Sequence, residues 1–107
     1  MEMSPREMWK YIPKCRPYPF DLERKQKVEK VMYQHDVKSV SQLARETGIK
    51  QQQLSAVING TRLSRKTEER IAAFFGMRRE ELFIQRTLGE VAEMNRAQLE
   101  AKQNKNG

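Results

Sequence analysis

From Asp21 onward, apolar residues recur at three- and four-residue spacing with charged residues between them, and no stretch alternates with period two. Leu22, Val28, Val31 and Met32 define one amphipathic helix over about 21–35, with Asp21 as its N-cap. Ser39-Val-Ser-Gln42 has the spacing of a capping box, in which Ser39 accepts from the third amide and Gln42 reaches back. It opens a second helix, Val40–Thr47, whose inward face is Val40, Leu43 and Ala44. Gly48 ends that helix and Ile49 plugs the turn. A third helix runs over Gln51–Ile58 and stops at Asn59-Gly60, residue types that tolerate left-handed backbone. A fourth, starting at Ser64 or Thr67 and closed by Gly76, presents Ile71, Phe74 and Phe75. Met77 begins a fifth, which Leu82, Phe83, Leu88, Val91 and Leu99 continue. The pattern predicts an all-α fold.

The first twenty residues follow another rule. They hold all four prolines, together with Trp9, Tyr11, Tyr18 and Phe20. Such proline density favours extended backbone, with room for one short helix opened by Ser4-Pro5 and reaching Tyr11. We read this segment as an arm whose aromatic side chains pack on the domain. The alternative is an arm that reaches DNA or a partner through Lys10, Lys14 and Arg16. At the other end, Gln103–Gly107 reads as a disordered tail.

Composition narrows the function classes. The 107 residues suit one small domain, and 21 basic against 14 acidic residues give a formal charge of +7. No run approaches the roughly 18 apolar residues of a membrane span, and the start lacks a signal peptide's apolar stretch. Cys15 is the only cysteine and His35 the only histidine, so a Cys/His zinc cage and an intrachain disulfide are both excluded. The glycines fall singly, which leaves no glycine-rich phosphate cradle. These counts point away from an enzyme, a cofactor and a membrane, and the single cysteine suits a reducing cytoplasm. The positive charge is concentrated between Lys38 and Arg79, where nine basic residues face three acidic ones.

That same stretch carries a specific motif. Leu43-Ala44, Gly48-Ile49, Leu54-Ser55, Asn59-Gly60, Ile71-Ala72, Gly76 and Glu81-Leu82-Phe83 occur in order, with spacings that resemble the phage repressor and Cro (Xre-type) helix-turn-helix family. One departure precedes them: Val37 stands one residue further from Leu43-Ala44 than the family pattern has it. The resemblance covers about residues 22–83. It implies a five-helix lambda-repressor-like domain with an N-terminal arm and a C-terminal helical extension, divided as 1–20, 21–84 and 85–107. It also implies that helix 51–58 enters the major groove with its leading residues on the bases.

The residue types agree with that implication. Two short helices meeting at a steep angle need a small residue (Ala44) and a turn glycine (Gly48) at the contact. With Leu43, Ile49, Leu54 and Val57 in the core, Gln51, Gln52, Ser55 and Ala56 are left facing outward as candidates for base reading. Glutamine can bond bidentately to adenine, and a small apolar side chain can meet a thymine methyl. The run from Gln51 to Asn59 carries no charge, whereas an ordinary solvated face would carry Glu and Lys. Lys50, Asn59, Thr61, Arg62 and Lys66 flank it as candidate phosphate ligands. Lys50 replaces the family's Ser or Thr, which weakens the cap. Arg62, Arg65 and Lys66 are expected in the loop before the fourth helix, and Arg78 and Arg79 are expected to be solvated.

The function this predicts is sequence-specific binding of a double-stranded DNA operator by a small dimeric transcriptional repressor of phage, mobile-element or bacterial origin. Leu88, Val91 and Leu99 form a loose stripe, read as a homodimer surface in preference to a segment folded back on helix 21–35. Two rival readings stand beside it. One is an antitoxin or adaptor that binds a protein partner through the arm or the C-terminal helix and autoregulates its operon. The other is a nucleoid or replication accessory protein with little sequence preference.

Overall fold

The computed structural model describes residues 4–13 and 18–104, and among them the chain is entirely helical. Seven helices follow one another: α1 (Pro5–Tyr11), α2 (Leu22–Gln34), α3 (Val40–Thr47), α4 (Gln51–Asn59), α5 (Arg65–Phe74), α6 (Arg79–Leu82) and α7 (Leu88–Asn104). They form two compact units, one of residues 20–85 and one that joins both ends of the chain, residues 1–19 and 86–107.

Side-chain caps set the helix starts in the larger unit. Asp21, Ser39 and Ser64 accept from the amides of Arg24, Gln42 and Thr67 at the openings of α2, α3 and α5. In the Ser39 cap, Gln42 reaches one residue beyond the expected amide, and its Oε1 accepts from Lys38 N–H at 3.1 Å. The end of α2 explains the extra residue before α3. Val37 N–H donates to Met32 O at 2.8 Å and Asp36 N–H to Tyr33 O at 3.2 Å, with Asp36 at φ 60°. This is a Schellman ending with aspartate where glycine is usual. Val37 and Met32, the hydrophobic pair of that motif, are both buried.

The core of this unit gathers Val28 from α2, Leu43 from α3, Leu54, Val57 and Ile58 from α4, Ile71 from α5, and Leu82 with Phe83. Burying side chains of this size contributes about 1.5–3 kcal/mol each. The core therefore outweighs any single cap.

Several expectations are corrected here. Leu22 is exposed, and Arg24 takes the inward position of the first turn. On α5, Phe74 is exposed while Ile71, Ala72 and Phe75 are buried. Arg65 and Lys66 lie in the first turn of α5, not in a loop, because Ser64 is the cap. The fifth helix does not continue through Leu99. It ends after one turn at Leu82, and Phe83 is extended (φ −108°, ψ 121°) with its side chain fully buried. The next helix restarts at a second capping box, in which Thr87 Oγ1 accepts from Glu90 N–H and Glu90 Oε1 from Thr87 N–H, both at 3.2 Å.

In the other unit, α1 packs on α7, and Asn95 Nδ2 donates to Tyr11 O at 2.8 Å. Trp9 is exposed and Tyr11 half-buried, so the arm's helix finds its partner in α7 without burying its tryptophan. Leu88 and Leu99 are exposed and Val91 is half-buried. Gln103 and Asn104, read as tail, close α7. Lys14, Cys15, Arg16 and residues 105–107 lie outside the described residues.

Candidate nucleic-acid interface

α3 and α4 meet across a turn that Gly48 makes in left-handed backbone (φ 73°) and Ile49 fills from the core side. Thr47 closes α3 by donating its hydroxyl to Leu43 O at 2.7 Å, and Arg70 Nη2 donates to Thr47 O at 2.8 Å from α5. The turn is thereby held at both its backbone and its flank.

α4 divides cleanly into two sides. Leu54, Val57 and Ile58 are buried, whereas Gln51 and Gln52 are exposed and Ser55 and Ala56 half-buried. The structure thus brings the four base-reading candidates to the outward side of one helix. Gln53 does not join them, because its Nε2 donates to Thr67 Oγ1 at 2.6 Å on α5. Lys50 is exposed at the N-cap position and makes no side-chain cap. The first amides of α4 therefore lack the side-chain acceptor that Asp21, Ser39 and Ser64 supply to α2, α3 and α5, at the positive end of the helix dipole.

The other flanking candidates differ in freedom. Lys66 is exposed, in the first turn of α5. Arg62 is half-buried, and its Nε has no hydrogen-bond partner among the described residues. Thr61 donates its hydroxyl to Ala56 O at 3.3 Å, and Arg62 N–H shares that carbonyl at 3.2 Å. Asn59 gives its carbonyl to Asp21 N–H at 2.8 Å. Its side chain lines a groove of about 650 Å³ with Ser55, Lys25 and Lys38.

Behind α4 lies a polar centre that sequence reading missed. Arg24 is buried, with Nη2 3.3 Å from Glu68 Oε1 and its guanidinium 4.7 Å from the centre of the Phe83 ring. Its Nε donates to Val57 O at 2.9 Å and its Nη1 to Ile84 O at 3.3 Å. Burial pulls the Arg24 guanidinium below its ordinary value, and Glu68 and Asp21 pull it back up. Arg79 closes the cluster 3.7 Å from Glu68 Oε1, so the expectation that it is solvated is corrected; Arg78 is exposed and pairs with Glu81. The signal was spacing. Arg24 stands four residues before Val28, and Glu68 stands three before Ile71, so both occupy core positions of their helices.

Two short helices joined by a glycine turn, the second presenting an uncharged polar side between basic flanks, define a helix-turn-helix DNA-binding domain. In agreement, residues 27–85 match the family model of the Cro/C1-type helix-turn-helix DNA-binding domain, and the chain belongs to that family. Neither the curated proteins nor the solved structures compared with the chain give a match. Among the described residues, no helix is long and apolar enough to cross a membrane, and no group of three His, Cys, Asp or Glu is placed to hold a metal ion.

Proposed function

We propose that the protein is a transcriptional repressor that reads a specific double-stranded operator through α4 and occupies it as a symmetric dimer. The observation that carries this reading is the side of α4 formed by Gln51, Gln52, Ser55 and Ala56, uncharged and turned away from the core. In the major groove, the two exposed glutamines address base edges and Ala56 addresses a thymine methyl. Lys50 and Lys66 hold phosphates on either side, with the open amides of α4 beside Lys50. Asn59 ends the helix, and Thr61 and Arg62 follow it. The Thr61 hydroxyl can turn to a phosphate because Arg62 N–H still satisfies Ala56 O.

One helix of nine residues reads few base pairs, too few to find a site against a genome's competitors. Two copies about one DNA turn apart solve this, and Leu88, Val91 and Leu99 on α7 are the surface assigned to hold them. Selection of bound duplexes from a random pool tests the function as a whole. The expected result is a palindrome with half-sites about 10 base pairs apart, centre to centre. An enriched site without two-fold symmetry removes the dimer, and no enrichment favours the low-specificity reading. The exposed Trp9 is the observation that keeps the adaptor reading alive, since a solvent-facing tryptophan on α1 suits a protein partner.

A further inference from the structure

We infer that Arg24, paired with Glu68, is a positioning residue for DNA reading: it pins the C-terminal end of α4 and so sets the angle at which Gln51, Gln52 and Ser55 are presented. The inference rests on the base-reading function proposed above.

The last carbonyls of a helix have no partner within it. In α4 the start of α2 supplies donors to two of them. Arg24 Nε donates to Val57 O at 2.9 Å, a carbonyl that also accepts from Gly60 N–H at 3.2 Å, and Asp21 N–H donates to Asn59 O at 2.8 Å. Asp21 is itself fixed, because its carboxylate accepts from Arg24 N–H at 3.1 Å. Gly60 follows in left-handed backbone (φ 81°) so close that a Cβ there would sit 3.0 Å from Asp21 Cβ and 3.4 Å from Arg24 Cδ. The same guanidinium reaches Glu68 on α5 and Ile84 O beyond α6. One buried cation thus ties the end of α4 to the rest of the unit, at the helix end where positive charge is favourable.

A buried ion pair is a poor device for stability alone, since apolar residues of similar volume often serve as well or better. That makes the two roles separable. The double variant Arg24→Met/Glu68→Leu removes both charges together, while Arg79 loses Glu68 but keeps Glu80 at 3.9 Å and Gln85 at 3.1 Å. It is titrated, beside the wild type, against the duplex that the wild type selects and against a scrambled one, with amide hydrogen exchange followed at Asp21, Gly60 and Leu43.

The expected result is a cooperative fold and unchanged Leu43 exchange. Exchange at Asp21 and Gly60 becomes roughly tenfold faster, and the ratio of specific to scrambled affinity falls roughly tenfold, the effect of one misread base pair. A wild-type ratio overturns the inference, and so does a fallen ratio with Asp21 and Gly60 still protected. If the double variant does not fold, Arg24→Lys decides. Lysine keeps a cation beside Glu68 but cannot donate to Val57 O and Ile84 O together, so both readouts are expected to move, and wild-type values overturn the inference. A wild-type ratio near one sinks base reading instead. Exchange at Asp21 and Gly60 then decides by itself whether Arg24 pins α4.

Discussion

Gln53 Nε2 lies 2.6 Å from Thr67 Oγ1, which turns the third glutamine of the run into the junction of α4 and α5 while its two neighbours remain in solvent. Three identical residues therefore do two different jobs. Gln53→Ala is expected to lower stability by about 1 kcal/mol, the net worth of one side-chain hydrogen bond. It should leave the ratio of specific to scrambled DNA affinity unchanged. Urea unfolding and a pair of duplex titrations check both halves.

Gln52→Ala is expected to do the reverse. Melting should stay near that of the wild type, because Gln52 is exposed. Binding to the best duplex should weaken by about 1–3 kcal/mol, with preference relaxed at one base pair per half-site. Equal losses on specific and scrambled duplexes would remove Gln52 from base reading.

Lys66 is exposed in the first turn of α5 and carries a charge that the helix dipole there disfavours. Lys66→Ala should weaken all duplexes alike and reduce the slope of log affinity against log salt by about one. Arg78→Ala, which removes an exposed cation already paired with Glu81, is the control and should leave the slope as it is.

Asp36 occupies the left-handed position that closes α2, at φ 60°. Asp36→Gly is expected to raise stability by roughly 0.5–1 kcal/mol, the relief of backbone strain less glycine's extra entropy when unfolded. Denaturant midpoints with an unchanged slope would establish it, and a lower midpoint would refute it.

Glu90 is exposed, and the Thr87 N–H and hydroxyl, aided by Arg86, hold its carboxyl below the ordinary glutamate range. The folded state therefore favours the charged form. Its contribution to the start of α7 is present above the ordinary range and is lost as pH falls through the depressed value. A carboxyl titration by NMR should place Glu90 below the same residue in a short peptide, and Thr87→Ala should move it back up.

Helices α2 to α5 were legible because their limits are local. Asp21, Ser39 and Ser64 cap α2, α3 and α5 from a single side chain each, and Gly48, Gly60 and Gly76 close the turns. The outward side of α4 was legible for a similar reason: once Leu54 and Val57 are inside, geometry places Gln51 and Gln52 outside. Arg24 and Glu68 were not legible in the same way. Each stands at core spacing on its own helix yet carries a charge, and only their meeting across the core makes either burial tolerable. The break between α6 and α7 was missed because Phe83 and Leu88 fit a helical stripe. The Thr87 and Glu90 spacing was a local signal that marks the restart.

The partition of α4 also bears on how such a protein diverges. Leu54, Val57 and Ile58 meet the core, and Gly60 is locked by its neighbours, so these positions are closed to most change. Gln51, Gln52 and Ser55 carry none of that burden. On the reading proposed for α4, a duplicated copy that exchanges those side chains like the teeth of a key acquires a new lock while inheriting the same fold, and the three substitutions cost little at any intermediate step.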